Sequence, residues 1–236
     1  MFRTLLVALF FVVLAVPASA DEAAIKRAIE ARLPGAKVES VTQTPYFGLY
    51  EVQIGNEILY TDGKAEYLFV GNIHKGENLE NLTEARLREL NRVDFAKLPF
   101  DQAFKIVNGK GTRKLAYFSD PNCPYCKRMD KELTQVKDVT IYVFLYPILS
   151  QDSMTKSQAV WCSPDRAKAW LALMLENKAP TAQPDCDTPV LKNLQLGQKL
   201  RVRGTPALFF ADGERVSGAV PAAQVEELLA KAAAKK

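Results

Sequence analysis

Histidine, cysteine, strong net charge and long apolar runs are all scarce in this chain. Its 236 residues hold one histidine, His74, and four cysteines, and Lys+Arg 31 against Asp+Glu 27 leaves a formal net charge of +4. Charge so mild and interspersed offers nucleic acid no binding face. The longest basic cluster, within residues 231–236, reads as a solvated, frayed helix end. No internal repeat or low-complexity tract is present, and a hydrophobic content of 48% is ordinary for globular domains. Beyond residue 20 nothing approaches the roughly 18 apolar residues that a membrane-spanning helix needs.

The one pronounced apolar run lies at the start. Arg3 precedes an apolar stretch over residues 5–16, and Pro17-Ala18-Ser19-Ala20 follows it. The run is too short to span a bilayer and ends in small residues of the A-x-A kind, so it reads as a secretory signal cleaved after Ala20. The expected mature chain is an exported, soluble protein of 216 residues (236 − 20) in a compartment where disulfides persist.

From Glu22 the pattern predicts a helix, with Ile25, Ile29 and Leu33 recurring at i+4 and Pro34-Gly35 stopping it. Strands are predicted over residues 38–42, 47–54, 57–61 and 65–70, with Gly55-Asn56 and Asp62-Gly63 as hairpin turns. Together they form an α+β domain, a helix plus antiparallel strands, over residues 21–80. Residues 83–97 then predict a charged helix with Thr83 as N-cap, Leu87, Leu90 and Val93 as a narrow apolar stripe, and Pro99 as its stop. Such a helix, mostly polar around its circumference, suits a linker over residues 81–98.

The remainder, residues 99–236, predicts strands at 104–107 and 115–118, a helix over 124–133 and a strand over 139–146. A helical insertion follows at about 150–200, then a strand over 207–211, a short strand near Val216 and a helix from Pro221. Cys123-Pro124-Tyr125-Cys126 falls where the second of these strands meets the first helix. At a helix N-terminus the backbone N–H groups and the helix dipole favour a thiolate, which makes Cys123 the attacking nucleophile. Cys126, one turn deeper and less exposed, can resolve a mixed disulfide by attacking Cys123. Half of a zinc site is the competing reading, but Cys162 and Cys186 are separated by 23 residues and His74 lies in the other domain. A purely structural short-loop disulfide is a further alternative, against which the strand-to-helix placement weighs. Cys162 and Cys186 suit a structural bridge, worth roughly 3 to 4 kcal/mol for a loop of about 25 residues, better than a second redox pair. The order β, βα, β, helical insertion, ββα is that of an α/β thioredoxin-like domain.

The chain as a whole resembles the DsbC/DsbG family of periplasmic thiol:disulfide isomerases, and DsbC most. The resemblance rests on the export signal, the small strand domain, the helical linker, Cys123-Pro124-Tyr125-Cys126, Trp161-Cys162, Cys186 and Gly204-Thr205-Pro206. It implies Cys123 and Cys126 as the catalytic dithiol and a cis peptide at Thr205-Pro206 facing it. It further implies substrate binding by Pro124, Tyr125, Thr205 and Pro206, and a structural Cys162–Cys186 disulfide. It implies homodimerisation through the N-terminal domain, misoxidised exported proteins as substrates, a membrane reductase of the DsbD type as partner, chaperone activity, and neither metal nor cofactor. Pro124 departs from the glycine of the best-known DsbC members and matches the sister group DsbG, whereas the Cys162/Cys186 pair favours DsbC. The implied activity is therefore disulfide isomerisation, with DsbG-like reduction of sulfenylated cysteines or dithiol oxidation as alternatives.

A strand domain of about 55 residues without cysteine buries too little surface to be comfortably stable alone, and its open strand edge is a template for a second copy. The mature protein is expected to sediment as a dimer at micromolar concentration; a monomer there would exclude dimerisation through this domain.

Overall fold

The computed structural model describes residues 22–234, so the expected export signal at residues 1–20 lies outside the described residues. The chain divides into two compact units, with the boundary between Gly71 and Asn72.

In the first unit, α1 (Glu22–Arg32) packs its buried Ile25 and Ile29 against an antiparallel sheet of β1 (Val38–Gln43), β2 (Tyr50–Ile54), β3 (Glu57–Thr61) and β4 (Leu68–Phe69), in that order. Val38, Val41, Tyr50, Val52 and Ala65 complete this core. β3 spans the predicted residues, whereas β2 and β4 begin later than the apolar pattern predicts, and local hydrogen bonds explain why. Asp62 accepts from the N–H groups of Lys64, Glu66 and Tyr67, coiling residues 62–67 into a loop in which buried Ala65 takes a left-handed φ of 53°. Those three backbone bonds, Tyr67 first, hold the Asp62 carboxyl below the usual range. Pairing with β3 resumes only at Leu68. Similarly, Thr44 and Leu49 close a turn through Phe47 (φ 49°) and Gly48 (φ 67°), which delays β2 to Tyr50.

The second unit opens with α2 (Leu82–Leu90), which departs from the predicted linker helix at both ends. Its N-cap is Asn81, whose side chain accepts from Glu84 N–H, whereas Thr83 is buried and its hydroxyl accepts from Ile73 N–H. The helix stops at Leu90 instead of running to Lys97. Val93 N–H donates to the carbonyl of Gly213, and two single 3-10 turns follow, Phe95–Lys97 and Phe100–Gln102. Phe95 and Leu98 are buried against the sheet, so burial of this segment outweighs its helical propensity. Residues 92–103 are thus part of the second unit's core and not a solvated connector.

That unit's sheet contains β5 (Phe104–Asn108), β6 (Arg113–Ser119), β7 (Val139–Leu145), β8 (Ala207–Phe210) and β9 (Arg215–Ser217), in the order β5-β7-β6-β8-β9. Only β6 and β7 run parallel, joined through α3 (Pro124–Leu133); the other pairs are antiparallel. Between β7 and β8 come α4 (Gln151–Cys162), α5 (Arg166–Glu176) and α6 (Val190–Lys199), and α7 (Ala222–Ala234) ends the described chain. The central strands are nearly continuous apolar runs because both faces are covered. Leu115 and Tyr117 of β6, Ile141 and Val143 of β7, and Leu208 and Phe210 of β8 face α3, α5 and α7. Their alternates, Ala116 and Phe118, Tyr142 and Phe144, Ala207 and Phe209, face the 3-10 turns and α6. On that second face Phe118 and Phe144 stack with ring centroids 4.7 Å apart.

Gly197 is where α6 meets the sheet. A Cβ there would lie 2.2 Å from the ring of Tyr146, which is buried, packs edge-on to Phe118 and donates its hydroxyl to Val202 O at 2.9 Å. Gly197→Ala is therefore expected to lower stability by about 1–3 kcal/mol through overpacking, despite alanine's better helix propensity. Urea unfolding measures this, and an unchanged or raised midpoint would mean the ring can step aside.

Candidate active site

At its C-terminal end β6 turns through Asp120, Pro121 and Asn122 into α3. Asp120 is fully buried and spends both carboxylate oxygens on backbone amides, Oδ1 accepting from Asn122 (2.8 Å) and Oδ2 from Ile148 (2.8 Å) and Leu149 (3.0 Å). Cys123 N–H in turn donates to Asp120 O at 3.1 Å. Asn122 extends the clamp, donating to Ser150, Asp152 and Ser153 while its carbonyl accepts from Lys156 at 2.9 Å. The β6–α3 junction and the loop after β7 are thereby held as one piece.

Cys123 occupies the N-cap of α3 with extended backbone, and Pro124 takes the first helical position, where a missing N–H costs nothing. The Cys123 thiol is 4% exposed and donates to Thr205 O at 3.3 Å; the Thr205–Pro206 peptide is cis. Both Cys123 and Cys126 are free thiols, and Cys126 is fully buried. Burial pushes the Cys126 thiol up to about 12; the Ser119 and Thr205 hydroxyls and the Asp120 backbone oppose the rise, and the charge of Cys123 adds to it. Cys126 thus remains protonated at neutral pH. Tyr125 is 62% exposed, and Ile148 and Leu149, on the loop clamped by Asp120, are also exposed apolar groups. Cys162 and Cys186 form a disulfide with Cα atoms 5.7 Å apart, tying the end of α4 to the irregular segment before α6. Beside it the Arg166 guanidinium lies 3.8 Å from the centroid of the Trp161 ring.

Beneath the dithiol lies a group that sequence reading missed. Asp130, on α3 one turn beyond Cys126, is buried and accepts from Tyr117 Oη (2.8 Å) and Trp170 Nε1 (2.7 Å). Burial pushes its carboxyl up to about 7, against the opposing effect of those two donors. Burial foremost, then the charges of Asp130 and Cys126, pushes the Tyr117 phenol well above its ordinary range. The available signal was positional: Cys126, Met129, Asp130 and Leu133 share the buried face of α3, so one acid stands in an apolar stripe.

A free thiol at a helix head, with a second free thiol one turn below and a backbone carbonyl across from the first, can take up and release a sulfur–sulfur bond. On this five-stranded mixed sheet that defines a thiol-disulfide oxidoreductase of the thioredoxin fold. A family model described as a thioredoxin-like domain matches residues 100–233, and one described as the disulfide bond isomerase protein N-terminal domain matches residues 16–84. Among curated proteins, the probable thiol:disulfide interchange protein DsbC of Bordetella pertussis is 45% identical over 206 residues, covering 87% of this chain and 73% of its own length. The thiol:disulfide interchange protein DsbC of Escherichia coli K12 is 26% identical over 219 residues, covering 90% and 89%. Among solved structures, a disulfide interchange protein from Neisseria gonorrhoeae gives a TM-score of 0.55 at 44% identity, covering 57% of this chain and 97% of its own. The chain belongs to the DsbC family of thiol:disulfide interchange proteins.

Asp130 makes stability depend on pH. Its folded-state carboxyl titrates at about 7, above an unfolded value near 3.8, so the stability associated with the protonated form is fully present below pH ~4 and is lost as pH rises through ~7. At 1.36 kcal/mol per unit the loss is at most about 4 kcal/mol. Unfolding free energies of the reduced protein at pH 5 and pH 8 are expected to differ in that direction, and Asp130→Asn to remove most of the difference. Equal pH dependence in both proteins would show that Asp130 titrates normally.

Proposed function

We propose that this protein is a periplasmic disulfide isomerase that attacks wrong disulfides in exported polypeptides through Cys123. The observation that carries the reading is the Cys123 thiol at the N-cap of α3, hydrogen-bonded to the carbonyl of Thr205. When substrate takes that place, Thr205 offers its backbone to an extended segment by strand addition. Pro206, Pro124 and exposed Tyr125 border the same segment. The Cys123 thiolate attacks one substrate sulfur, forming a mixed disulfide and expelling the other as a thiolate. A substrate thiol making the correct bond then displaces Cys123. Where none arrives, Cys126 attacks Cys123, releasing reduced substrate and leaving an oxidised dithiol for a membrane reductase of the DsbD type to restore. The Cys162–Cys186 disulfide has a structural role in holding the insertion together.

In this reading the first unit makes the protein a homodimer. Leu68 and Phe69 of the edge strand β4 are exposed together with flanking Tyr67 and Val70, an apolar edge of the kind that pairs with a second copy. Two dithiols in one dimer suit correction of disulfides in a bound chain, and chaperone activity belongs to the same reading. Pro124, at the first position of α3, favours a second reading, a DsbG-like reductase of sulfenylated cysteines.

Refolding of a scrambled multi-disulfide protein tests the proposal. Wild type should restore native activity, Cys123→Ala should lose isomerisation at least a hundredfold, and a chain starting at residue 72 should lose isomerisation while still reducing a simple disulfide. Full isomerase activity in the shortened chain would sink the dimer argument. Turnover of a sulfenylated protein without any isomerisation would favour the second reading.

A further inference from the structure

The carbonyl that Cys123 meets belongs to a loop whose two ends are held in different ways. Pro206 O accepts from Gly218 N–H at 2.8 Å, and β8 begins at the next residue. At the other end the chain leaves α6 through Leu200, Arg201 and Val202, with exposed Arg203 and Gly204 separating these from Thr205. Arg201 N–H donates to Gln198 O and Val202 N–H to Gly197 O, the double closure that commonly ends a helix with glycine in the left-handed position. Here the left-handed residue is Arg201, with a φ of 56°. A side chain in that conformation persists only where its surroundings enforce it.

Two side chains supply the enforcement. Arg215 of β9 donates from Nη1 to Leu200 O at 3.1 Å and from Nη2 to Arg201 O at 3.0 Å, while its Nε donates to Ser217 Oγ at 3.3 Å. Tyr146 Oη donates to Val202 O at 2.9 Å. Three successive carbonyls past the end of α6 thereby find donors. Burial raises the Tyr146 phenol, against the nearby charge of Arg215, so its hydroxyl keeps its proton at neutral pH. Tyr146 is also fixed at its other end. Its N–H donates to Ser119 O at 2.8 Å, and the amides of Ile148 and Leu149, two and three residues on, donate to Asp120. Its ring packs edge-on to Phe118 in the space that Gly197 leaves open. One residue therefore reaches from the strand-to-helix turn carrying Cys123 to the base of the loop carrying Thr205.

We infer that Tyr146 and Arg215 are positioning residues for disulfide exchange, holding residues 200–202 so that Thr205 keeps its carbonyl opposite Cys123 for an extended substrate to pair with. Neither touches a sulfur. Tyr146 acts through Val202, and Arg215 through Leu200 and Arg201. Their effect therefore belongs to substrates that have a backbone for Thr205 to pair, and the intrinsic reactivity of the Cys123 thiol is left as it is. The value of this bracing to exchange rests on the strand addition proposed for Thr205, and the experiment separates the two ideas.

The reduced full-length protein is mixed in stopped flow with an extended peptide whose single cysteine is joined to thionitrobenzoate. Attack by the Cys123 thiolate on the peptide sulfur forms the mixed disulfide, and the electron pair of the broken bond leaves on thionitrobenzoate, whose absorbance is followed. In wild type, N-methylating the peptide one residue at a time around its cysteine should raise the half-saturating concentration about fivefold at the position paired with Thr205 O. In Tyr146→Phe the unmodified peptide should need about fivefold more to half-saturate, with its limiting rate within about twofold of wild type. The N-methyl penalty should there fall below about twofold, because the pairing is already lost. Attack on 5,5′-dithiobis(2-nitrobenzoate), which has no backbone to pair, should stay within about twofold of wild type. Arg215→Lys keeps the charge but cannot bridge two carbonyls; it should act in the same direction, and it decides the matter if Tyr146→Phe does not fold. Leu229→Ala, which removes a buried side chain of α7 from the same unit, should keep the full penalty. A full penalty in Tyr146→Phe, a lost one in Leu229→Ala, or equal slowing toward the peptide and the small disulfide would overturn the bracing. If wild type shows no penalty at any position, strand addition at Thr205 fails and the bracing with it; a wild-type penalty that survives in Tyr146→Phe removes the bracing alone.

Discussion

The carboxylate of Asp120 is the interaction on which the site depends. A buried charge is tolerated only when hydrogen-bonded, and here three backbone amides satisfy it, one in the strand-to-helix turn and two in the loop after β7. The same bonds set the start of α3, and with it the position of Cys123 relative to the loop carrying Thr205. Removing this carboxylate would leave three backbone amides without their acceptor, one at the start of the helix and two in the loop after β7.

Around that anchor the two thiols have different environments although they lie on one turn of helix. Cys123 stands at the head of α3 against the Thr205 carbonyl, whereas Cys126 lies on the buried face of α3 above Tyr117. Both sulfurs are nearly or fully buried, and burial keeps that of Cys126 protonated at neutral pH. The Ser119, Tyr117, Asp130 and Trp170 cluster is the polar exception in that apolar face, and its members satisfy one another. Burying Asp130 costs stability above neutral pH, where its carboxyl must ionise inside the core.

Much of this was legible from residue order. Alternation of apolar residues in β6 and β7, the Pro-capped start of α3 and the short dithiol spacing are local signals, so the strand–dithiol–helix unit and the thioredoxin-like order of elements could be read directly. The linker helix ends earlier than its pattern predicts because Val93 continues the Leu87–Leu90 stripe by spacing, while the partners of Val93, Phe95 and Leu98, Gly213 and the far face of the sheet, lie in later parts of the chain. The cap at Asn81 was missed for a similar reason, since Thr83 was claimed by Ile73. Asp130 is not legible as a buried group because an acid in a helix with Lys127, Arg128, Lys131 and Glu132 reads as surface until its neighbours are known.

Sequence alone thus determined the chemistry available: two thiols at fixed spacing, a helix to receive them, a proline-containing loop and a second cysteine pair. Local periodicity and turn residues suffice for that, since they act over a few positions. Only the tertiary structure decided which carbonyl the first thiol meets, how deeply the second is buried, and which carboxyl is buried beneath them. Those are properties of residues brought together across the chain, Cys123 with Thr205 and Asp130 with Trp170, and desolvation, which shifts protonation most, exists only once the core has closed.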